Sequence, residues 1–187
     1  MARSLKQMND LAVAELSAVI EAIDERRFGA LVEALGRAKR IACHGVGREG
    51  LMMKALCMRL FHLGLDAHMV GDVTTPPLGP GDMLVVSAGP GYFGTVMALM
   101  RTAADAGAST ACFTAEPGAE CPAAADLVVV LSAQTMASDE NAPTSFLPMG
   151  SLYEGVQYLA YEYLVLLLRD HLGVSPEDMR ARHTNLE

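Results

Sequence analysis

Five short apolar runs recur along the chain, each bounded by glycine, proline or polar residues. They are Ile41-Ala-Cys-His44, Ala67-His-Met-Val70, Met83-Leu-Val-Val-Ser87, Thr110-Ala-Cys-Phe-Thr114 and Leu127-Val-Val-Val-Leu131. None alternates cleanly between polar and apolar positions, and an uninterrupted apolar run suits a strand whose sheet is covered on both faces. Stretches of helical character lie between them, over 48–63, 95–106 and, more briefly, 121–125. Strand and helix in alternation predict right-handed crossovers. The expected fold is α/β, a doubly wound five-stranded parallel sheet flanked by helices.

Two amphipathic helices are expected before the first strand. Over 5–23, Met8, Ala12, Leu16, Val19, Ile20 and Ile23 fall at spacings of three and four; over 25–39, Phe28, Leu31, Val32 and Leu35 do the same. The segment 132–148 is too rich in polar residues and proline for a strand and is expected to be a loop. A long helix follows over 151–172, apolar nearly all round from Tyr158 to Leu168 apart from Glu162. Such a helix needs cover on most sides, from the sheet or from a second copy, so a homo-oligomer is expected. With no internal repeat and no linker, residues 1–187 are expected to form one domain: a helical arm (1–39), a sheet core (40–131), and a C-terminal helix with its tail (149–187).

Composition narrows the function classes. The chain has 187 residues, 51% of them hydrophobic, which is enough for a sizeable core. Fourteen Lys and Arg against 22 Asp and Glu leave a net charge of −8, with no basic surplus for nucleic acid. The longest apolar run, Leu164 to Leu168, is far short of a membrane span. Residues 1–10 mix charges and precede no apolar leader segment. Cys43, Cys57, Cys112 and Cys121 show neither C-x-x-C spacing nor a Cys/His cluster. No metal site is expected, and the thiols fit a reducing cytoplasm.

In an open parallel sheet, ligands bind beyond the carboxyl ends of the strands, near the point where strand order reverses. Three loops have that address. Gly45-Val-Gly-Arg-Glu-Gly50 follows the first strand and opens a helix. Ser87-Ala-Gly-Pro-Gly-Tyr-Phe-Gly-Thr95 follows the third strand and opens another. The third loop, after the second strand, carries Thr74 and Thr75. Glycines such as Gly45, Gly47, Gly89 and Gly91 let backbone N–H groups approach an anion, and a helix N-terminus adds about half a positive charge. Arg48 offers a bidentate fork, and Ser87 and Thr95 offer hydroxyls. The alternative for each loop is a tight turn with no ligand. Gly45, Gly47 and Gly50 match G-x-G-x-x-G, but Asp66 precedes the second strand instead of ending it, which argues against a dinucleotide. Arg59 and His62 share a helix face. Lys54 and Arg59 interrupt an otherwise apolar helix, so one of the two needs an acid or a ligand anion, while His62 also fits a subunit interface. Glu154 admits two readings: Ser151-Leu-Tyr-Glu154 is a capping-box pattern, and a carboxylate in a partly apolar pocket is also a general base. His183 lies in a polar tail.

Several motifs occur in a fixed order: Gly45-Val-Gly-Arg-Glu-Gly50, Met58-Arg-Leu-Phe-His-Leu-Gly64, Thr74-Thr-Pro76, Gly79-Pro-Gly-Asp82, Pro148-Met-Gly-Ser-Leu-Tyr-Glu154 and Arg182-His-Thr-Asn-Leu-Glu187. In this the chain resembles the sugar isomerase (SIS) domain family over essentially its whole length, and within it looks most like the 6-phospho-3-hexuloisomerases. The resemblance implies a flavodoxin-like sandwich that assembles as a dimer of dimers. It also implies cofactor-free isomerisation of a six-carbon sugar phosphate through an enediolate, in formaldehyde assimilation or pentose phosphate supply. By the same resemblance Glu154 is the catalytic carboxylate, and His183 acts near the active site, reaching it from a neighbouring subunit. A catalytically silent sugar-phosphate sensor is the alternative that SIS domains allow. Two departures stand out. The family usually has Ser where this chain has Glu49, and its Ser-Gly-Ser-Gly-Glu-Thr loop becomes Ser87-Ala-Gly-Pro-Gly-Tyr-Phe, which keeps only the first Ser.

Overall fold

In the computed structural model, which describes residues 3–139 and 144–186, the apolar runs form a sheet and divide their side chains between its two faces. Strands β1 (Ile41–His44), β2 (Ala67–Met69), β3 (Met83–Ser87), β4 (Ser109–Thr114) and β5 (Leu127–Val130) run parallel in the order β2-β1-β3-β4-β5. The chain leaves β1 in one direction for β2 and then returns past it to β3. Strand order therefore reverses between β1 and β3. Part of the expected loop 132–148 (residues 140–143) and Glu187 of the terminal motif lie outside the described residues.

Helices α1 (Leu5–Glu21), α2 (Glu25–Arg37), α3 (Gly47–His62) and α7 (Ser151–Leu172) cover one face. Their core partners are Ile41, Cys43, Met83, Val85, Ala111 and Phe113. Helices α4 (Gly94–Asp105) and α5 (Glu120–Ala123) cover the other, against Ala42, Leu84, Val86 and Cys112. The period of two along each strand makes the division.

Two short helices were not expected. Helix α6 (Met136–Asp139) interrupts the segment read as loop, and α8 (Pro176–Ala181) occupies the segment read as a polar tail. The signal for α8 is local: Ser175 caps it in a reciprocal box with Asp178, and proline stands at its start.

The apolar circumference of α7 has its explanation inside the chain, since α1, α2 and α3 all pack on it. Val156, Ala160, Leu164 and Leu168 have no exposed surface. Gly155 permits close approach of α1, because a Cβ there would lie 3.0 Å from Leu16 Cδ2. Tyr158, Tyr163, Leu166 and Leu167 remain partly exposed, so the cover is incomplete. No helix among the described residues is long and apolar enough to cross a membrane. Leu164 lies at the centre of this packing. Replacing it by Ala is expected to lower unfolding free energy by about 2–5 kcal/mol, read as a lower urea midpoint at unchanged slope.

Candidate active site

Because β1 and β3 are neighbours at the reversal point, the loops after them stand side by side. Gly45 and Gly50 close the first of these turns: a Cβ on Gly50 would lie 2.5 Å from the Gly45 carbonyl oxygen. Gly47, with φ of +59°, is left to face open space. A cavity of about 560 Å³ lies between this turn, the loop before α4, the segment around α6 and the start of α7. That volume is ordinary for a small-molecule site.

Three long helices start at the cavity without a side-chain cap, as the one-turn helix α5 also does away from it. Helices α1, α2 and α8 carry side-chain caps from Ser4, Asp24 and Ser175. Helices α3, α4 and α7 have Val46, Phe93 and Gly150 at that position, and none has a side-chain cap. All three capping positions line the cavity. First-turn N–H groups and the positive ends of three helix dipoles are thus left open where an anion can meet them.

Glu154 stands in the first turn of α7. The capping box with Ser151 does not form: Ser151 is the first residue inside the helix, and its N–H donates to the Pro148 carbonyl. The Glu154 carboxylate turns instead toward Arg48 of α3, with Oε2 2.8 Å from Nε. The contact is close, but the N–H is not aimed at that oxygen, and Oε2 is buried without a hydrogen bond among the described residues. The side chain is 13% exposed. Burial pushes its carboxyl above the usual glutamate range, and Arg48 offsets part of that rise. Arg48 also donates through Nη1 to Ser151 Oγ at 3.3 Å, bridging α3 to α7.

Beneath the cavity lies a polar network centred on Ser87, which is fully buried. Its hydroxyl donates to Glu49 Oε2 at 2.5 Å and accepts from Gln157 Nε2 at 2.7 Å. The Gly89 N–H donates to the same Glu49 oxygen at 2.9 Å. Gln157 also donates to Tyr161 Oη at 2.8 Å, and Tyr161 donates on to Met53 Sδ. Burial raises the Glu49 carboxyl, its two donors oppose the rise, and the charge of Glu154 adds to it. Thus Glu49, the departure noted in the sequence, points inward and is bound.

Other expected residues lie apart from the cavity. Gly91, with φ of +87°, packs against the turn before α5, where a Cβ would lie 2.2 Å from Ala119 Cβ. Thr95 is exposed in the first turn of α4 and does not line the cavity. Thr75 Oγ1 is bound to the Met69 and Asp72 carbonyls beside a separate, apolar cavity of about 340 Å³, and Thr74 is exposed. Arg59 finds its acid in Glu162 on α7, at 3.2 Å. His62 stacks on His183, ring centroids 5.3 Å apart, at the far end of α3. That is about 22 Å of helix from Gly47. Arg182 anchors the tail there by donating to the His62 carbonyl. Within one chain, His183 and Glu154 therefore do not meet.

The segment between β5 and α7 also lines the cavity, and the sequence pattern gives no sign of Thr135 and Met136. Thr135, Met136 and Met149 line the cavity. Met149 takes a left-handed conformation, φ of 54°, which delivers the chain to Gly150. Gln134 fixes this segment: Oε1 accepts from the Thr144 and Ser145 N–H groups, and Nε2 donates to the Met149 carbonyl. The only local signal was the Pro148-Met-Gly150 break before the helix.

Comparison with known proteins finds relatives of this chain among 3-hexulose-6-phosphate isomerases. A 3-hexulose-6-phosphate isomerase of Mycobacterium gastri is 36% identical over 165 residues, covering 88% of this chain and 82% of the relative. One from Methylomonas aminofaciens is 32% identical over 185 residues, covering 98% and 100%. A solved structure of a hypothetical protein of Methanococcus jannaschii, which infers a 3-hexulose-6-phosphate isomerase function, superposes with a TM-score of 0.84 at 24% identity. It covers 97% of this chain and 99% of the other. No protein-family profile matches the chain.

The opposing influences on Glu154 are separable by titration. Its side-chain carboxyl, followed by carbon-detected NMR, is expected to titrate above the usual glutamate range. Arg48→Gln removes the cation and is expected to move that titration further up.

Proposed function

The chain belongs to the 3-hexulose-6-phosphate isomerase family, and from that premise we propose that it moves the carbonyl of a phosphorylated ketohexose between adjacent carbons, with Glu154 as the proton carrier. From the 3-ketose, Glu154 Oε2 takes the proton on C2. The C–H electron pair becomes the C2=C3 bond of an enediolate, and the carbonyl electrons pass to O3. The hydroxyl proton on O2 moves to O3, and Glu154 returns its proton to C3, leaving the carbonyl at C2. C2 is oxidised as C3 is reduced, so the exchange is complete within the substrate.

The observation that carries this reading is the buried, unbonded Oε2 of Glu154, held over the cavity beside a cation. A carboxyl raised by burial is a stronger base than an exposed one, which suits removal of a carbon-bound proton. The Arg48 guanidinium and the open first turns of α3 and α7 supply positive potential for the enediolate oxygen and for the phosphate.

His183 enters the reading as the group that opens the sugar ring, since a neutral imidazole both gives and accepts a proton. It lies too far from Glu154 of its own chain to do so there. We therefore propose that it serves the site of a second copy, in a homo-oligomer arranged as a dimer of dimers. The partly exposed apolar side chains of α7 are consistent with such an assembly. The cytoplasm is the proposed setting, in keeping with four buried free thiols.

Glu154→Gln keeps the shape of the side chain and removes its basicity. It is expected to lower kcat for conversion of fructose 6-phosphate to the 3-hexulose by about 10²–10⁴-fold, with the thermal midpoint retained. A variant of undiminished rate would remove Glu154 from the mechanism. If sites are shared between copies, Glu154→Gln and His183→Ala chains, each impaired alone, are expected to recover activity when unfolded and refolded as a mixture.

A further inference from the structure

Glu49 presents its carboxylate to a glycine loop that, by its address at the end of β3, is placed to receive a ligand. We infer that Glu49 takes the place of a ligand anion there, so that a substrate phosphate draws no hydrogen bond from the loop 87–91 and must be held by other groups of the cavity. The inference rests on the phosphorylated substrate proposed above and names the residue that decides which contacts its phosphate can make.

The donors of the loop can be counted. The Ser87 hydroxyl has one proton, directed to Glu49. The Ala88 N–H donates to the Phe113 carbonyl at 2.9 Å. The Gly89 N–H donates to Glu49 at 2.9 Å. Pro90 has no N–H, and the Gly91 N–H turns back to the Ala88 carbonyl at 2.8 Å. All four N–H and O–H donors from Ser87 to Gly91 outside the strand ladder are committed to the chain itself.

The space is filled as well. A Cβ on Gly89 would meet Glu49 Oε1 at 2.8 Å and Tyr153 Cε1 at 2.9 Å. The hollow that a missing side chain opens above Gly89 thus holds a carboxylate on one side and an aromatic ring on the other. Glu49 is 8% exposed, so withdrawing it would strip a desolvated group of both its donors and leave the Ser87 hydroxyl proton and the Gly89 N–H without their acceptor. A second anion at the same donors would meet like charge at contact distance.

Inorganic phosphate is the probe, titrated into the full chain and into Glu49→Ser and followed by amide NMR and calorimetry. In the natural chain the Gly89 amide resonance is expected to stay fixed while phosphate saturates. In Glu49→Ser the same resonance is expected to shift, and phosphate to bind about tenfold to a hundredfold more tightly, as two freed donors to a charged group allow. Glu49→Gln, which keeps the shape, gives a folded control, with a smaller gain in the same direction. A Gly89 shift in the natural chain overturns the inference, and so does a variant pair whose affinity is unchanged or weaker. If the natural chain binds no phosphate while Glu49→Ser does, the inference about Glu49 stands and the phosphosugar reading falls.

Discussion

The hydrogen bond from Ser87 to Glu49 holds the site together. Ser87 ends β3 and Glu49 lies in the first turn of α3, so the bond fastens two loops that share only their position at the reversal of strand order. Gln157 extends it to α7. The helix that supplies Arg48, the loop that supplies Tyr92 and Phe93, and the helix that supplies Glu154 thus rest on one buried network. In a setting of low dielectric such a network is strong while complete, and each group left unpaired would cost about 1–3 kcal/mol.

Two carboxylates share this cavity in different conditions. Burial raises both, yet Glu49 receives two donors on one oxygen while Glu154 has a cation at its side and no aligned donor. Environment, and not residue type, sets the two apart. The bonded carboxylate ties α3 to the end of β3, and the other is the one to which our proposal gives the proton transfer. The charge of Glu154 adds to the cost of charging Glu49, while the Arg48 cation offsets part of the cost of burying Glu154 itself.

The sheet and long helices were legible because their patterns are local: continuous apolar runs for strands, spacings of three and four for helices. The loops at β1 and β3 were legible because parallel topology dictates where strand ends face. What escaped was decided by distant partners. The inward turn of Glu49 depends on Ser87, 38 positions away. The Ser151–Glu154 box fails because the helix starts from Gly150, and the Glu154 carboxylate turns instead to Arg48 on another helix. His183 is drawn to the end of α3 by the anchoring of Arg182 and by the stack on His62, neither of which has a sequence period. Helix α8 is a different case: its Ser175-Pro-Glu-Asp178 start is a local signal that the polar composition of the tail obscured.

The uncapped beginnings of α3, α4 and α7 bind stability to occupancy. A side-chain cap ordinarily contributes about 1 kcal/mol, and three helices here forgo it at the same cavity. A negatively charged guest would finish those helices from outside, acting as the cap the chain does not encode. By mass action, the resistance of this protein to heat and to proteases would then rise with the concentration of whatever metabolite it holds. Its lifetime in a cell would register the supply of its own substrate.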